Sequence, residues 1–239
     1  MTETLYQNDS YIKEFEANII DINEEQHAVL LDRTAFYPGG GGQAADNGIL
    51  IVNGTSIPIK RAKKGPEGIW HYLEKEVDLP TSKGPVSGQI NWERRYLMMR
   101  THTAMHVLCG VIFRDYGAMV TGGDMDPGKG RMDFEFESLQ KEFVALIERS
   151  VNEEIAKEHD IFTQILPREE AFQIPDLLRT KINLLPPAIK EIRTVEIRGL
   201  DLQADGGTHV HNTKEVGLIR IPNYKSKGKI NKRFYLELI

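Results

Sequence analysis

The stretch Asn91–Tyr116, NWERRYLMMRTHTAMHVLCGVIFRDY, is where the apolar pattern of the chain changes from a period of two to a period of about 3.6 residues. This pattern predicts one long helix, and Gly117 is a suitable stop directly after it. The positions that recur at helical spacing are Leu97, Thr101, Met105, Leu108 and Ile112.

The chain before this helix consists of short alternating segments separated by Gly, Pro, Asn and Asp, which is typical of strands. Asn53-Gly54, between two apolar runs, predicts a hairpin turn. The spacing favours a small antiparallel barrel or sandwich, with Pro80–Pro85 as the exit from it. The predicted strands are Glu16–Ile22, Gln26–Leu31, Gly48–Val52, Thr55–Arg61, Gly68–Tyr72 and Gly88–Ile90.

The chain after the long helix mixes both patterns and predicts helices packed on an antiparallel sheet. A second helix is expected over Leu139–His159, with Ser138 as its N-cap, and a short helical stretch over Arg168–Leu178. The apolar stripe of the second helix is predicted to be Phe143, Leu146, Ile147, Val151 and Ile155. The predicted strands are Arg131–Glu137, Ile192–Ile197, Val216–Ile221 and Lys232–Leu238. The fold class is therefore α+β, with a β-rich domain over residues 1–88 and an α+β domain over residues 89–239.

Composition excludes several classes of protein. The 239 residues are 40% hydrophobic, which is enough to fill an ordinary core. No run approaches the roughly 18 apolar residues of a membrane span and no signal pattern opens the chain, so a cytoplasmic protein without membrane contact is expected. The single cysteine, Cys109, rules out an internal disulfide and a four-cysteine zinc site. A net charge of -5 means that any contact with nucleic acid depends on local basic patches.

The long helix contains two imidazoles, His102 and His106, which lie four residues apart and therefore on one helix face. A single metal ion is within reach of both, although this spacing also occurs by chance on solvated helices. Zinc peptidases with this spacing have a glutamate after the first histidine, where this chain has Thr103. The sequence therefore disfavours a peptidase.

A second group of candidate ligands stands near the C-terminus in Asp205-Gly-Gly-Thr-His209. The two glycines are expected to let the backbone turn tightly enough for Asp205 and His209 to point at one spot. Taken alone, the segment reads better as a surface turn, but together with the helix histidines it favours a metal site. Cys109 is expected to be a core residue, because free cysteine behaves as a small hydrophobe.

Three motifs in the same order, TAFYPGGGGQAADNG from Thr34, HTAMH and GGTHV, resemble the AlaX family of trans-editing proteins, which are similar to the editing domain of alanyl-tRNA synthetase. The resemblance runs from about Asp32 to the KGKINKRFYLEL ending, and the separate β domain resembles the medium-length members. It implies one zinc ion per chain held by His102, His106 and His209. The family commonly has cysteine before GGTH, where this chain has Asp205, an oxygen ligand that leaves the metal affinity and the identity of the metal open.

The glycine run Gly39–Gly42 permits close approach of backbone to a ligand, although such a run is also found in unstructured loops. In the family that the chain resembles, Thr34 and Gln43 face the editing pocket, so we assign them catalytic roles, with Thr34 as partner of a seryl hydroxyl. Thr208 is a candidate for holding the attacking water. The glycines assigned to substrate binding are Gly40, Gly41 and Gly42.

Basic side chains crowd into one turn near the end of the chain, and a smaller group stands at Lys60, Arg61, Lys63 and Lys64. Solubility alone explains such charge, but on an acidic protein it also suits phosphate contacts. The candidates for substrate binding in the turn are Lys225, Lys227, Lys229, Lys232 and Arg233.

The resemblance implies a hydrolase that removes serine, with glycine as a second candidate, from mischarged tRNA(Ala) by zinc-assisted ester hydrolysis. A pocket that selects alanine cannot strongly exclude glycine or serine, so a second site is needed. Zinc has three possible roles, namely to lower the pKa of a water, to polarise the ester or to hold the amino group. The alternatives are a tRNA-binding module with weakened catalysis and a generic metal-dependent esterase. The sequence makes no prediction of oligomeric state.

Overall fold

A computed structural model describes residues 1–136, 141–180 and 189–239. The chain divides into two compact units, Met1–Tyr96 and Leu97–Ile239. The sequence placed the domain boundary after residue 88.

Among the described residues, no helix combines the length and the apolar character that crossing a membrane requires.

The first unit is built around a closed antiparallel barrel, as the sequence predicted. Six strands close it in the order β2-β3-β7-β6-β5-β8, while β1 and β4 pair in parallel beside it. The strands are β1 (Glu3–Thr4), β2 (Glu14–Asn23), β3 (Ala28–Leu31), β4 (Arg33–Thr34), β5 (Gly48–Val52), β6 (Thr55–Lys64), β7 (Ile69–Leu73) and β8 (Gly84–Ile90).

The turn at Asn53-Gly54 joins β5 to β6, and both residues have left-handed φ values, +50° and +80°. This is the backbone that a two-residue hairpin requires, so the prediction is confirmed. The prediction that Pro80–Pro85 leaves the barrel is wrong. Gly84 and Pro85 already pair with β2 and close the barrel, because a proline is tolerated near the start of a strand.

The second unit contains the long helix α1 (Trp92–Tyr116), which begins in the first unit and stops before Gly117 at φ +64°, as predicted. In the described part, the strands form two antiparallel sheets, β14-β15-β10-β9 and β11-β12-β13. The further elements are β9 (Val120–Asp126), β10 (Lys129–Glu135), α2 (Lys141–Ile155), β11 (Ile161–Pro167), α3 (Arg168–Ala171), β12 (Glu191–Ile197), β13 (Asp201–Ala204), β14 (Ile219–Ser226) and β15 (Asn231–Leu238).

Several predicted elements of this unit are corrected. Helix α2 ends at Ile155 instead of His159, and Ser138 lies outside the described residues. Phe143 and Leu146 are 40% and 49% exposed and do not belong to the buried stripe, whereas the predicted members Ile147, Val151 and Ile155 are buried. The stripe that packs inward is Val144, Ile147, Val151 and Ile155.

The remaining corrections concern short elements. The helical stretch predicted over Arg168–Leu178 is reduced to the four residues of α3. The sequence did not predict β9, β11 or β13, and β14 begins three residues later than expected, at Ile219.

One glycine makes room for a side chain of α1 against the sheet. A Cβ atom at Gly130 of β10 would stand 2.6 Å from Sδ of Met105 on the helix, closer than real contacts allow. Met105 neighbours His106, so this glycine helps to place the part of α1 that carries the histidines.

The end of α2 is tied to the end of α1 by a buried carboxylate. Glu154 has a side chain only 5% exposed and accepts hydrogen bonds from Arg114, Lys157 and His159. Burial alone would raise the pKa of Glu154, but these hydrogen bonds outweigh it and lower the pKa to about 2. The carboxylate is therefore charged at neutral pH.

The loop that leads to the glycine run is held by a buried ion pair within the first unit. Arg95 is fully buried and donates from Nε to both oxygens of Asp46, at 3.1 and 2.9 Å, and from Nη1 to the carbonyl of Ser10 at 2.9 Å. The same carboxylate accepts the N–H of Tyr37 at 2.6 Å. Nη2 of Arg95 also donates to the carbonyl of Ala35, so one guanidinium contacts both ends of the loop, Ala35 and Asp46.

Replacing Arg95 with methionine should lower the free energy of unfolding by about 3–5 kcal/mol, because it leaves the Asp46 carboxylate buried without its partner. Urea denaturation measures the change. The matched control is Arg33→Met, which breaks a pair with Glu3 in which both side chains are about half exposed, and which should cost about 0–1 kcal/mol. Equal losses in the two variants would show that the buried pair does not hold this loop.

Candidate metal centre

Four side chains from two distant parts of the chain converge in the second unit. His102 and His106 come from α1, and Asp205 and His209 come from the turn after β13. Their ligand atoms all lie within 4.8 Å of one another. The structure therefore brings together all four residues that the sequence singled out as metal ligands.

The separation between His102 and Asp205 suits a small cation, while His209 lies at hydrogen-bond distance from the same carboxylate. Nε2 of His209 lies 3.0 Å from Oδ2 of Asp205, and Nε2 of His102 lies 3.6 Å from Oδ1 of the same carboxylate. Donors placed about 2.0–2.2 Å from a tetrahedral zinc are separated by about 3.3–3.6 Å. The donor set, three imidazoles and a carboxylate, is also one that zinc accepts.

The protonation states are those that metal binding needs. Burial lowers the pKa of His102 well below its ordinary value, although Asp205 opposes the shift, and it lowers the pKa of His209 to about 4. Burial would raise the pKa of Asp205, but His102 and the hydrogen bond with His209 outweigh it and keep that pKa well below its ordinary value. At neutral pH these two imidazoles therefore keep their lone pairs and the carboxyl keeps its charge.

The turn that carries Asp205 is shaped by side chains. Oδ2 of Asp205 accepts the N–H of Gly207 at 2.7 Å, and Nη1 of Arg193 donates to the carbonyls of Asp205 and Gly207 at 3.1 and 2.9 Å. Gly206 has no left-handed φ, and a Cβ there would meet no atom within 4 Å. The expectation that Gly206 is needed for a tight turn is therefore wrong, and sequence reasoning missed Arg193.

The second nitrogen of His209 is also held. Nδ1 lies 3.1 Å from Oγ1 of Thr103, which accepts the N–H of Val210 at 3.3 Å. A metal-ligating imidazole commonly donates its other N–H to such an acceptor, which fixes the ring orientation. From the sequence, Thr103 served only to exclude a peptidase, and this contact was missed. Cys109 is buried and lies outside the donor group, as expected of a core residue.

The glycine run belongs to the first unit and is a folded loop. Gly39, Gly40, Gly41 and Gly42 have φ values of +82°, +135°, +57° and +86°, a backbone that other residues rarely adopt. The backbones of Gly40 and Gln43 exchange hydrogen bonds of 2.9 and 3.0 Å. The run of glycines is thus required by conformation, and the alternative of an unstructured loop is excluded.

The residues predicted to act on the substrate are deeply placed. Thr34 is fully buried in the first unit, where its Oγ1 accepts the N–H of Phe36 at 3.1 Å and lies 2.8 Å from Nε2 of His71. Burial lowers the pKa of His71 to about 4, so the ring is neutral. Gln43 is 3% exposed, and Thr208 in the second unit is fully buried. Their roles stay predictions.

The basic turn lies between β14 and β15. Lys225, Lys227 and Lys229 are exposed. Lys232 is buried and donates to the carbonyls of Gly228 and Lys229, both at 3.0 Å. Arg233 makes two hydrogen bonds of 2.7 Å with Asp133. Lys232 is therefore engaged within the hairpin and Arg233 with the neighbouring strand β10, whereas the three other lysines are exposed.

Comparison with known proteins matches both units. A model of class II (A) tRNA synthetases matches residues 5–94, and a model of the second additional domain of threonyl and alanyl tRNA synthetases matches residues 192–235. The alanine–tRNA ligase of Ignicoccus hospitalis is 38% identical over 92% of this chain, which covers 24% of the ligase. The alanyl-tRNA editing proteins AlaX-M of Saccharolobus solfataricus and Methanosarcina mazei are 44% and 38% identical, with 98% and 97% of their lengths covered. The chain belongs to the AlaX-M family of alanyl-tRNA editing proteins.

Proposed function

We propose that this protein is a trans-editing hydrolase that removes a wrongly attached amino acid, chiefly serine and secondarily glycine, from tRNA(Ala). The observation that carries the proposal is the convergence of three imidazoles and a carboxylate in a chain that matches an alanyl-tRNA editing protein over 98% of its length. The bond cut is the ester between the amino acid and the terminal ribose of the tRNA.

The proposed metal is zinc, one ion per chain, held by His102, His106, Asp205 and His209. When bound, zinc supplies Lewis-acid chemistry, by activating a water, polarising the ester carbonyl or holding the substrate amino group. The chain supplies the neutral imidazoles of His102 and His209 and the negative charge of Asp205. The site is nearly closed, because the three histidines are 3–6% exposed. Thr103 keeps the His209 ring from turning. Thr208, next to His209 in the chain, is the proposed partner of the attacking water.

Selectivity against alanine is proposed to come from hydrogen bonding to the seryl hydroxyl. A site built for that hydroxyl rejects alanine, because its buried polar groups would stay unpaired at about 1–3 kcal/mol each. A threonine hydroxyl offers one donor and two acceptor positions, of which Phe36 N–H and His71 occupy two. Among the residues that the structure describes, one position on Thr34 is left for a substrate. Because Thr34 has no exposed surface, this contact requires the residues that cover it to move aside.

The metal proposal predicts that His102→Ala and His209→Ala each lose both bound zinc and deacylation of seryl-tRNA(Ala). The measurements are metal content of the purified protein and release of labelled serine from mischarged tRNA(Ala), beside glycyl- and alanyl-tRNA(Ala). His211→Ala is the matched control, since its side chain is exposed and outside the donor group, and it should keep both properties. Full activity in a metal-free preparation would defeat the mechanism, and stoichiometric zinc without deacylation would indicate a binding module.

Thr34→Val should lower kcat/KM for seryl-tRNA(Ala) by about 10- to 100-fold, the equivalent of one lost buried hydrogen bond. The value for glycyl-tRNA(Ala) should change much less, because glycine has no hydroxyl to bind. The second substrate thus serves as an internal control for damage to the fold. Equal losses on both substrates would assign Thr34 a structural role and remove it from the selectivity site.

The exposed lysines of the hairpin should contribute to tRNA affinity by binding phosphates. Replacing Lys225, Lys227 and Lys229 one at a time with alanine should weaken binding and reduce the slope of log K against log salt by about 0.7–1 for each phosphate that the variant no longer neutralises. Lys214→Ala removes an exposed lysine paired with Glu158 elsewhere in the same unit and is the matched control. An unchanged slope in all three variants would exclude the hairpin from the interface.

A further inference from the structure

The three histidines of the metal centre are supported unequally. His209 has its second ring nitrogen held by Thr103, whereas Nδ1 of His106 is buried and, within the described residues, has no hydrogen-bond partner. The nearest acidic group is Oδ2 of Asp201, 3.9 Å from that nitrogen. Leaving a buried nitrogen without a hydrogen-bond partner costs free energy. An acceptor is therefore expected on the side that the nitrogen faces.

Asp201 is itself rigidly held. It is the first residue of β13 and its side chain is 1% exposed. Nε of Arg179 donates to its Oδ1 at 3.1 Å, and Gln203 donates to its Oδ2 in a short hydrogen bond. The guanidinium of Arg179 lies 3.8 Å from the centre of the Phe113 ring, which fixes it in turn. The carboxylate therefore has a defined position beside α1.

A glycine in the middle of α1 makes room for this carboxylate. Gly110 follows His106 by one helical turn, and a Cβ atom there would stand 3.0 Å from Cβ of Asp201 and 3.0 Å from Cγ of Leu200. Glycine inside a helix costs about 1 kcal/mol relative to alanine. The turn between β12 and β13 packs so closely against α1 at this point that a larger residue than glycine would be crowded.

We propose that Asp201 is a positioning residue for the metal centre: it accepts a hydrogen bond from Nδ1–H of His106 and so directs Nε2 of that ring at the metal. The 3.9 Å gap closes with a small rotation of the imidazole, since its outer torsion is broad. Such a carboxylate fixes the tautomer of the ring and raises its basicity as a ligand. Asp201 is not in the four-residue donor group found among the described residues, so it acts through His106.

The inference rests on the proposed metal site and is tested by zinc affinity, measured by competition with a chromogenic chelator. Asp201→Ala should bind zinc about 10- to 100-fold more weakly than the wild type. Asp201→Asn keeps an acceptor oxygen without the charge and should lie between them. Gly110→Ala keeps the carboxylate but pushes it from the helix, and it should also weaken binding.

Glu154→Gln is the matched control for a general loss of stability. Glu154 is also a buried carboxylate bonded to an arginine in the second unit, but it lies outside the donor group. This variant should unfold more easily and still bind zinc with wild-type affinity. If Asp201→Ala does not fold, Gly110→Ala carries the same comparison.

A spectroscopic readout separates orientation from stability. In zinc-loaded protein with 15N-labelled histidine, the Nδ1–H of His106 should give a slowly exchanging proton signal that is absent in Asp201→Ala. Wild-type affinity in both Asp201→Ala and Gly110→Ala, or a retained Nδ1–H signal in Asp201→Ala, would overturn the inference while leaving the metal site intact. A wild-type protein that binds no zinc would overturn the metal site as well.

Discussion

The structure depends on gathering three imidazoles and one carboxylate around a single point that is nearly closed to water. Burying a carboxylate is expensive unless partners compensate for the lost hydration. Here Oδ2 of Asp205 accepts the backbone N–H of Gly207 and lies 3.0 Å from Nε2 of His209. Contacts within the chain therefore help to hold the buried carboxylate in place.

Two rigid elements deliver the four groups. Helix α1 places His102 and His106 one turn apart on the same face, because residues four positions apart are neighbours on a helix surface. The partner turn has no regular structure, and Arg193 fixes it by joining the carbonyls at both of its ends. Small residues on the helix and sheet, Gly110 and Gly130, let these elements approach closely. Precision in the site thus depends on contacts far from it in sequence.

Local patterns explain what the sequence could predict. The barrel strands, the turn at Asn53-Gly54 and helix α1 each follow from periodicity or turn chemistry within a few residues. Strand β9 was missed because its sequence, VTGGDMD at residues 120–126, shows no alternation of apolar and polar residues and no long run of β-branched residues. It is a strand because its backbone pairs with β10. Two predicted members of the α2 stripe were wrong because Phe143 and Leu146 are apolar yet exposed, which only the packing reveals. The contact between Thr103 and His209 spans 106 positions and has no local signal.

Asp205 differs from a cysteine in two properties, its softness as a metal ligand and its capacity to accept hydrogen bonds. A cysteine at this position would offer a single soft sulfur that suits zinc and is a weak acceptor. Asp205 offers two oxygens, of which Oδ1 faces His102 while Oδ2 meets both His209 and the N–H of Gly207. The same carboxylate therefore closes the turn and, in the proposed metal site, presents charge to the ion. In the proposed site, a carboxylate is a harder ligand than a thiolate, but its second oxygen can accept the N–H of Gly207 and so help to hold the turn.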